Sequence, residues 1–370
     1  MKMAAIIFSN IHDNSLGELT TKRTVASLPF GGRYRQIDFV LSSMVNSNIV
    51  NIGVVTKYNY ESLMDHLGSC QEWDLNRKNG GLYIIPPFST GRSQVYRGKL
   101  EALHTAISFL KAQTAEYVVL SDTTTICNID YRKVLEAHIK SKKDITVIAT
   151  KPANYTESNV IVLEKGRDNS VKKITVNYPA GDKSLIGMGM FIMDREILIK
   201  EVEEAVAEGY YHFEKDFLQK RFNEGELSVN LYKFDGIVLR NKNIPTYFRN
   251  NLALLNEKVR NGIFEQGAPI YTKVRDEIPT YYGEDAVVSE CIIADGCVIE
   301  GKVENSVLFR DVKIKNGALI KNSVIMQGAK IGKNVYLENV ILDKNVTVTD
   351  ETRLIGAVTS PQIVKKGETI

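Results

Sequence analysis

NSVLFRDVKIKNGALIK (305–321), NSVIMQGAKIGKNVYLE (322–338) and NVILDKNVTVTDETRLI (339–355) follow one another without a gap, each 17 residues long and each opening on Asn. Val312, Ala329 and Val346 share one column of this register, and Ala318, Val335 and Thr352 share another. A shorter copy, ECIIADGCVIEGKVE, runs from 290 to 304. A repeat near three hexapeptides long, with β-branched residues in its runs and Gly or Asn at its corners, predicts a parallel β-helix. One coil cannot bury its own apolar face, so the coils must stack. A β-sandwich would not hold so strict a repeat length.

Ahead of the repeats, FEQGAPIYTKVRDEIPTYY (264–282) carries Gly and two Pro and reads as a linker. The texture upstream is different. AAIIF (4–8), IVNIGVVT (49–56), YVVLSD (117–122) and ITVIAT (145–150) are Val- and Ile-rich runs expected to be buried strands. DFVLSSMVNS, YESLMDHLG and KLEALHTAISFLKA, between them, carry helical periodicity. NVIVLE, GMGMFIMD and LSVNLYKF extend the strand set, REILIKEVEEAVAEG adds a helix, and IPTYFRNNLALLNEKV (244–259) reads as a helix leaving the domain. Such alternation predicts an α/β domain with a largely parallel sheet, whose ligands bind at the carboxyl ends of the strands. The segments after AAIIF and YVVLSD are therefore expected at the mouth of any site.

Composition narrows the function classes. In 370 residues, 44% are hydrophobic and 25% charged, with a net charge of +3; this is ordinary for a soluble globular protein. Basic and acidic residues are interspersed, which argues against a nucleic-acid partner and makes any anion site local. The apolar run near the N-terminus is too short to span a membrane and lacks a cleavage pattern, so a cytoplasmic protein without a membrane partner is expected. Cys70, Cys127, Cys291 and Cys297 form no CxxC pair. Free thiols suit a reducing compartment, and Cys291 and Cys297 read better as core thiols than as a zinc site. No Ser-His-Asp arrangement emerges from the 5 His residues. Trp73 is expected to anchor packing, and Tyr210, Tyr211 and Phe213 to pack in the core or, as the alternative, to form a sugar-side wall.

PFGGRYRQIDFVLSSMVNSNI (29–49) closely resembles a segment of the glucose-1-phosphate adenylyltransferases. EWDLNR (72–77), GGLYIIPPF (80–88), YRGKLEAL (96–103), NIDYRKVLEAH (128–138) and IPTYFRNNLALL (244–255) continue the likeness in order, over nearly the whole chain. The resemblance implies a Rossmann-like nucleotidyltransferase domain with a predominantly parallel mixed sheet at 1–262. It implies a linker at 263–283 and a left-handed parallel β-helix of hexapeptide type at 284–370. Enzymes of this family join ATP to glucose 1-phosphate, releasing pyrophosphate and forming ADP-glucose. That chemistry needs close backbone donors, cationic side chains and carboxylate-held Mg²⁺ around two polyanions.

Several positions where the family keeps those groups read differently here. The family's glycine-rich AGGxGxRL loop aligns with Ser9, Asn10, Ile11, His12, Asp13, Asn14, Ser15 and Leu16. No glycine remains, Ser15 stands for the Arg, Asp13 adds negative charge, and β-branched Ile11 is denied the backbone conformations open to Gly. Val25 stands where the RAKP string has its phosphate-binding Lys. Thr124 falls at the Mg²⁺-binding Asp of SGDH, with Asp122 two residues away as a substitute if the loop shifts register. Arg240 falls at the second metal carboxylate, and Tyr178 at the sugar-phosphate Lys. Removing one charged group that stabilises a transition state costs about 2–4 kcal/mol, or roughly 10²–10³ in rate. Little turnover is therefore expected, and this chain is expected to hold no metal.

Lys22, Arg23 and Arg35 match basic positions that line an anionic effector site in the family, and Arg33 matches a nearby Lys. As solvated or structural charges they would need no ligand; as a set kept while catalytic cations are replaced, they suit a subunit that senses. The resemblance thus implies a regulatory-type subunit of glycogen synthesis, joined to a catalytic glucose-1-phosphate adenylyltransferase in a hetero-oligomer, a tetramer being expected. Mg²⁺ would serve the catalytic partner, and a sugar phosphate or nucleotide would be the effector. The alternatives are a self-sufficient adenylyltransferase with a displaced metal site at Asp122, and a free-standing sugar-phosphate or nucleotide binding module.

Overall fold

The computed structural model describes residues 2–10, 13–87, 96–152, 160–166, 170–178, 180–181 and 184–370. The chain forms two compact units, and each draws on separate stretches of sequence. The first comprises Met1–Ile11, Val40–Tyr60 and Gly68–Val238; the second comprises His12–Phe39, Glu61–Leu67 and Leu239–Ile370.

A mixed sheet organises the first unit. Its strands are β1 (Met3–Phe8), β2 (Asn51–Val55), β3 (Gly81–Ile85), β4 (Tyr117–Asp122), β5 (Ile145–Thr150), β6 (Ile161–Lys165), β7 (Val171–Val176), β8 (Ser184–Asp194) and β9 (Val229–Lys233). The order is β7-β6-β8-β4-β1-β2-β3, with β5 also against β8 and β9 beyond β5. β4, β1, β2 and β3 run parallel, whereas long β8 lies antiparallel to β4, β5 and β6. The apolar runs form strands because both faces are covered: all six residues of β1 are buried. Register pairs Phe8 with Asp122, so both segments expected at the site mouth leave the sheet side by side.

Helices form where the periodicity predicted them, with two interruptions. KLEALHTAISFLKA divides into Lys99–Thr105 and Ile107–Lys111 at Ala106, whose backbone (φ −92°, ψ 2°) leaves the helical range. IPTYFRNNLALLNEKV divides into Ile244–Ala253 and Glu257–Ile263, because the Asn256 side chain accepts from the Lys258 and Val259 N–H groups and starts a new helix. Trp73 and Phe213 are core residues, and Tyr210 packs against the same core as Phe213. All four cysteines are free. Among the described residues no helix is long and apolar enough to cross a membrane.

The repeats build a parallel β-helix of three five-stranded sheets. Leu319, Tyr336 and Arg353 stand in register, as do Lys313, Lys330 and Thr347, reproducing the 17-residue spacing. Val312, Ala329 and Val346 are fully buried, and Ala318 and Val335 nearly so. Asn305, Asn322 and Asn339 turn the corners at φ 46°, 44° and 53°; Asn tolerates this left-handed region better than other side chains do. Asn305 Nδ2 donates to Asn322 Oδ1 at 2.6 Å, tying one corner to the next.

Candidate functional site: a cationic recess and the strand ends of the first unit

In the second unit, PFGGRYR folds as a hairpin of Pro29–Phe30 against Tyr34–Arg35. Gly31 (φ 65°) and Gly32 (φ 87°) make its turn. A Cβ at Gly31 would come within 2.9 Å of Leu254 Cδ1, so this position also needs the missing side chain. The hairpin presents Arg33 and Arg35 to a recess also lined by His66, Lys273, Arg275, Arg310, Gln327 and Lys344. Six basic side chains and no carboxylate line it, and its volume of about 30 Å³ has room for one small anionic group.

The cations are held from behind. The buried Arg35 guanidinium donates from Nη1 to Ser62 O at 2.5 Å and to Ser62 Oγ at 3.0 Å. Buried Arg310 reaches Asp295 at 3.1 Å, and Lys273 Nζ donates to Asp65 O at 2.5 Å. Arg23 lies deeper than the recess wall. Its Nη2 contacts both Asp343 oxygens, at 2.7 and 2.8 Å, with both side chains buried. Asp38 accepts from Arg35 N at 2.9 Å and faces His66 Nε2 at 2.5 Å. Burial lowers the His66 pKa, with Asp38 opposing.

So much positive charge in partly desolvated surroundings leaves a mark. Burial, reinforced by Arg35 and Arg23, pushes the Lys344 ammonium down to about 6, although Asp343 opposes this. Burial likewise brings Arg35 down to about 10. A bound anion would relieve both.

Of the residues the sequence suggested for an anion, Arg33 and Arg35 line the recess. Arg23 is instead paired with buried Asp343, while Lys22 is exposed and outside the lining. The sequence reading missed Arg310 and Lys344, yet a signal was present. Arg310, Gln327 and Lys344 stand 17 residues apart, at the same place in three successive blocks. Lys273 and Arg275 lie in the linker, where no periodicity marks them.

The positions that align with the family's catalytic groups fall in both units. In the first, Asn10 closes the end of β1. Its Oδ1 accepts from Lys57 N at 2.8 Å, its Nδ2 donates to Tyr58 O at 3.0 Å, and Ser9 Oγ lies 2.8 Å from Oδ1. Thr124 is buried in the bend just beyond β4, and Tyr178 is exposed. Asp122 is buried against Lys99, which also contacts Glu214. Sequence reading passed over Lys99 and Glu214, although a Lys in the first turn of a helix, where positive charge is disfavoured, asks for a carboxylate partner. In the second unit, Asp13 opens a short helical stretch, Ser15 is exposed and Val25 is fully buried in a turn capped by Thr24. Arg240 lies on a short strand, and its carbonyl accepts from Asn250 Nδ2 at 2.9 Å. Ile11 lies outside the described residues.

Comparison with known proteins agrees with this architecture. Residues 14–236 match the nucleotidyl transferase family, and residues 278–360 match the GlmU-like C-terminal hexapeptide family. The chain is 37% identical over 315 residues to the glycogen biosynthesis protein GlgD of Geobacillus stearothermophilus, covering 84% of this chain and 81% of that one. It is 32% identical over 311 residues to GlgD of Bacillus subtilis (strain 168), covering 84% and 80%. It is 30% identical over 314 residues to the glucose-1-phosphate adenylyltransferase of Clostridium perfringens (strain SM101 / Type A), covering 84% and 81%. With an α/β nucleotidyltransferase sheet, a hexapeptide β-helix and likeness of this extent, the chain belongs to the family that unites the glucose-1-phosphate adenylyltransferases and the GlgD glycogen biosynthesis proteins.

Proposed function

We propose that this chain acts in glycogen biosynthesis as a regulatory subunit, binding an anion in its cationic recess and modulating a catalytic glucose-1-phosphate adenylyltransferase. The recess carries the reading: six basic side chains line it and no carboxylate does, and although Asp295 and Asp65 partly balance Arg310, Lys273 and Arg35 from behind, an anion in the recess would complete the remainder. The catalytic positions support the second half. Asn10 spends its side chain on the 57–58 backbone, and Val25 is core. The partner is a homologous catalytic subunit in a hetero-tetramer, and it brings the Mg²⁺ its reaction needs. The ligand class is a phosphate-bearing sugar or nucleotide, recognised by charge-assisted hydrogen bonds.

The test is ADP-glucose synthesis by the purified chain, by the catalytic homologue, and by the two mixed. The chain alone should turn over at least about a thousand-fold more slowly than its partner. Mixing should raise the partner's rate or shift its response to phosphate-bearing effectors. A stable complex in which rate and effector response both stay unchanged overturns the proposal, as does partner-like turnover by the chain alone.

A further inference from the structure

The family's reaction calls for carboxylate-held Mg²⁺, and in the first unit Asp122, at the carboxyl end of β4, is the acid available near the expected position. The surroundings of Asp122 do not fit that role. Lys99 Nζ lies 2.9 Å from each of its two oxygens. The same ammonium donates to Glu214 Oε1, so a single cation already bridges the two carboxylates. On another side, strand β8 closes in: a Cβ added at Gly189 would stand 2.4 Å from Asp122 Oδ2. Gly189 (φ 73°) brings its backbone against the acid as no larger residue could.

Lys99 is built into this place by its flanks. A Cβ at Gly98 would come within 2.1 Å of Tyr211 O, and Leu100 N donates to that same carbonyl at 3.1 Å. Segment 98–100 is thereby fixed beside the segment that carries Glu214. The Lys99 side chain is 4% exposed. Its ammonium lies 5.6 Å from the Phe8 ring centre and 5.9 Å from that of Phe191, within reach of cation–π attraction. Burial pushes the ammonium down, but the Asp122 and Glu214 carboxylates outweigh burial and hold it above the ordinary lysine range. Among the described residues, no group of three or more His, Cys, Asp or Glu is disposed to hold a metal ion.

We propose that Lys99 is a covalently tethered replacement for a divalent cation, holding Asp122 and Glu214 in an internal ion triad so that the strand ends of the first unit take neither Mg²⁺ nor Mn²⁺. Mg²⁺ demands near-octahedral oxygen ligation at about 2.0–2.1 Å. Here the oxygens converge on an ammonium, and a metal entering beside it meets like charge at close range. The inference concerns this triad alone and holds whether or not the chain modulates a catalytic partner.

The probe is Mn²⁺ with the full-length chain, read by the loss of its free-ion paramagnetic resonance signal and by thermal unfolding. The unaltered protein should leave both unchanged. Lys99→Met should gain one Mn²⁺ site and a Tm rise of about 5 °C or more at saturation, and the double variant with Asp122→Asn should lose both gains. Mn²⁺ binding by the unaltered protein that Asp122→Asn abolishes overturns the proposal. So does a folded Lys99→Met that ignores Mn²⁺. If Lys99→Met fails to fold, Lys99→Thr, which leaves room for water, is refolded with and without Mn²⁺. Recovery only with Mn²⁺ supports the proposal, whereas recovery that Mn²⁺ does not improve, or no recovery at all, overturns it by making Lys99 a structural residue only.

Discussion

Each unit buries a cluster of charge, and the two clusters are balanced in opposite ways. In the first, one ammonium meets two carboxylates, and the contacts close within the chain: Lys99 with Asp122 and Glu214. In the second, Arg23 takes up Asp343, and Arg33, Arg35, Lys273, Arg275, Arg310 and Lys344 surround a recess that no carboxylate lines, with Asp295 and Asp65 matching only Arg310, Lys273 and Arg35 from behind. The Lys99 ammonium is stabilised in its charged form, whereas that of Lys344 is pushed down to about 6, by burial first and by its cationic neighbours second. A cluster whose charges are matched internally has nothing left to offer a ligand. A cluster held with surplus charge of one sign is poised for a ligand of the other sign.

The largest expected effect comes from removing the acid that the cationic side can least spare. Asp343→Ala strands Arg23 in a buried position beside other cations and should cost about 3–5 kcal/mol in urea unfolding. Glu214→Gln, in the first unit, leaves Lys99 paired with Asp122 and should cost about 1 kcal/mol. Equal losses would break the comparison, because they would mean that neither cluster has charge to spare.

The two clusters also differ in how far the sequence reveals them. The β-helix is legible because a 17-residue period repeats its inward columns, and the strands of the first unit are legible because their apolar runs are buried on both faces. The hairpin arginines, Arg33 and Arg35, come with the string PFGGRYR. Arg23 could not be judged from sequence alone, since the residue that occupies it lies 320 positions away. Lys99 joins a partner 23 residues on and another 115 residues on, and only the fold states that Gly98 and Gly189 bring them together. Local pattern predicts elements; it does not announce which buried charges meet.

A middle-sized effect follows from Lys344, and its sign can be worked out. Between about pH 6 and the ordinary lysine range, the unfolded chain carries this proton and the folded chain does not. Stability from this group therefore rises with pH across that window and is flat below it. Lys344→Met should flatten that slope in urea unfolding at a series of pH values, without loss of stability near neutrality. Anion binding runs the other way. A sulfate in the recess favours protonated Lys344, so binding takes up a proton, and affinity should fall by up to about ten-fold per pH unit above pH 6. Sulfate keeps a fixed charge over this range, so calorimetry at several pH values isolates the protein's proton. An affinity independent of pH would remove Lys344 from the site.

The smallest effect separates two cations that the sequence places in one candidate anion site. Arg33 lines the recess from an exposed position, its guanidinium 5.8 Å from the Tyr34 ring centre, while exposed Lys22 is outside the lining. Exposed charges contribute little to folding, so both alanine variants should unfold within about 0.5 kcal/mol of the parent. Sulfate binding should distinguish them. Arg33→Ala should weaken it by about two- to five-fold at low ionic strength, and the difference should shrink as added chloride screens a partly solvated contact. Lys22→Ala should leave it unchanged at every salt concentration, since a solvated ammonium outside the recess adds only a screened, distant field. Equal weakening by the two substitutions would mean that the general positive potential of the surface draws the anion, and the recess would lose its claim to be a built site.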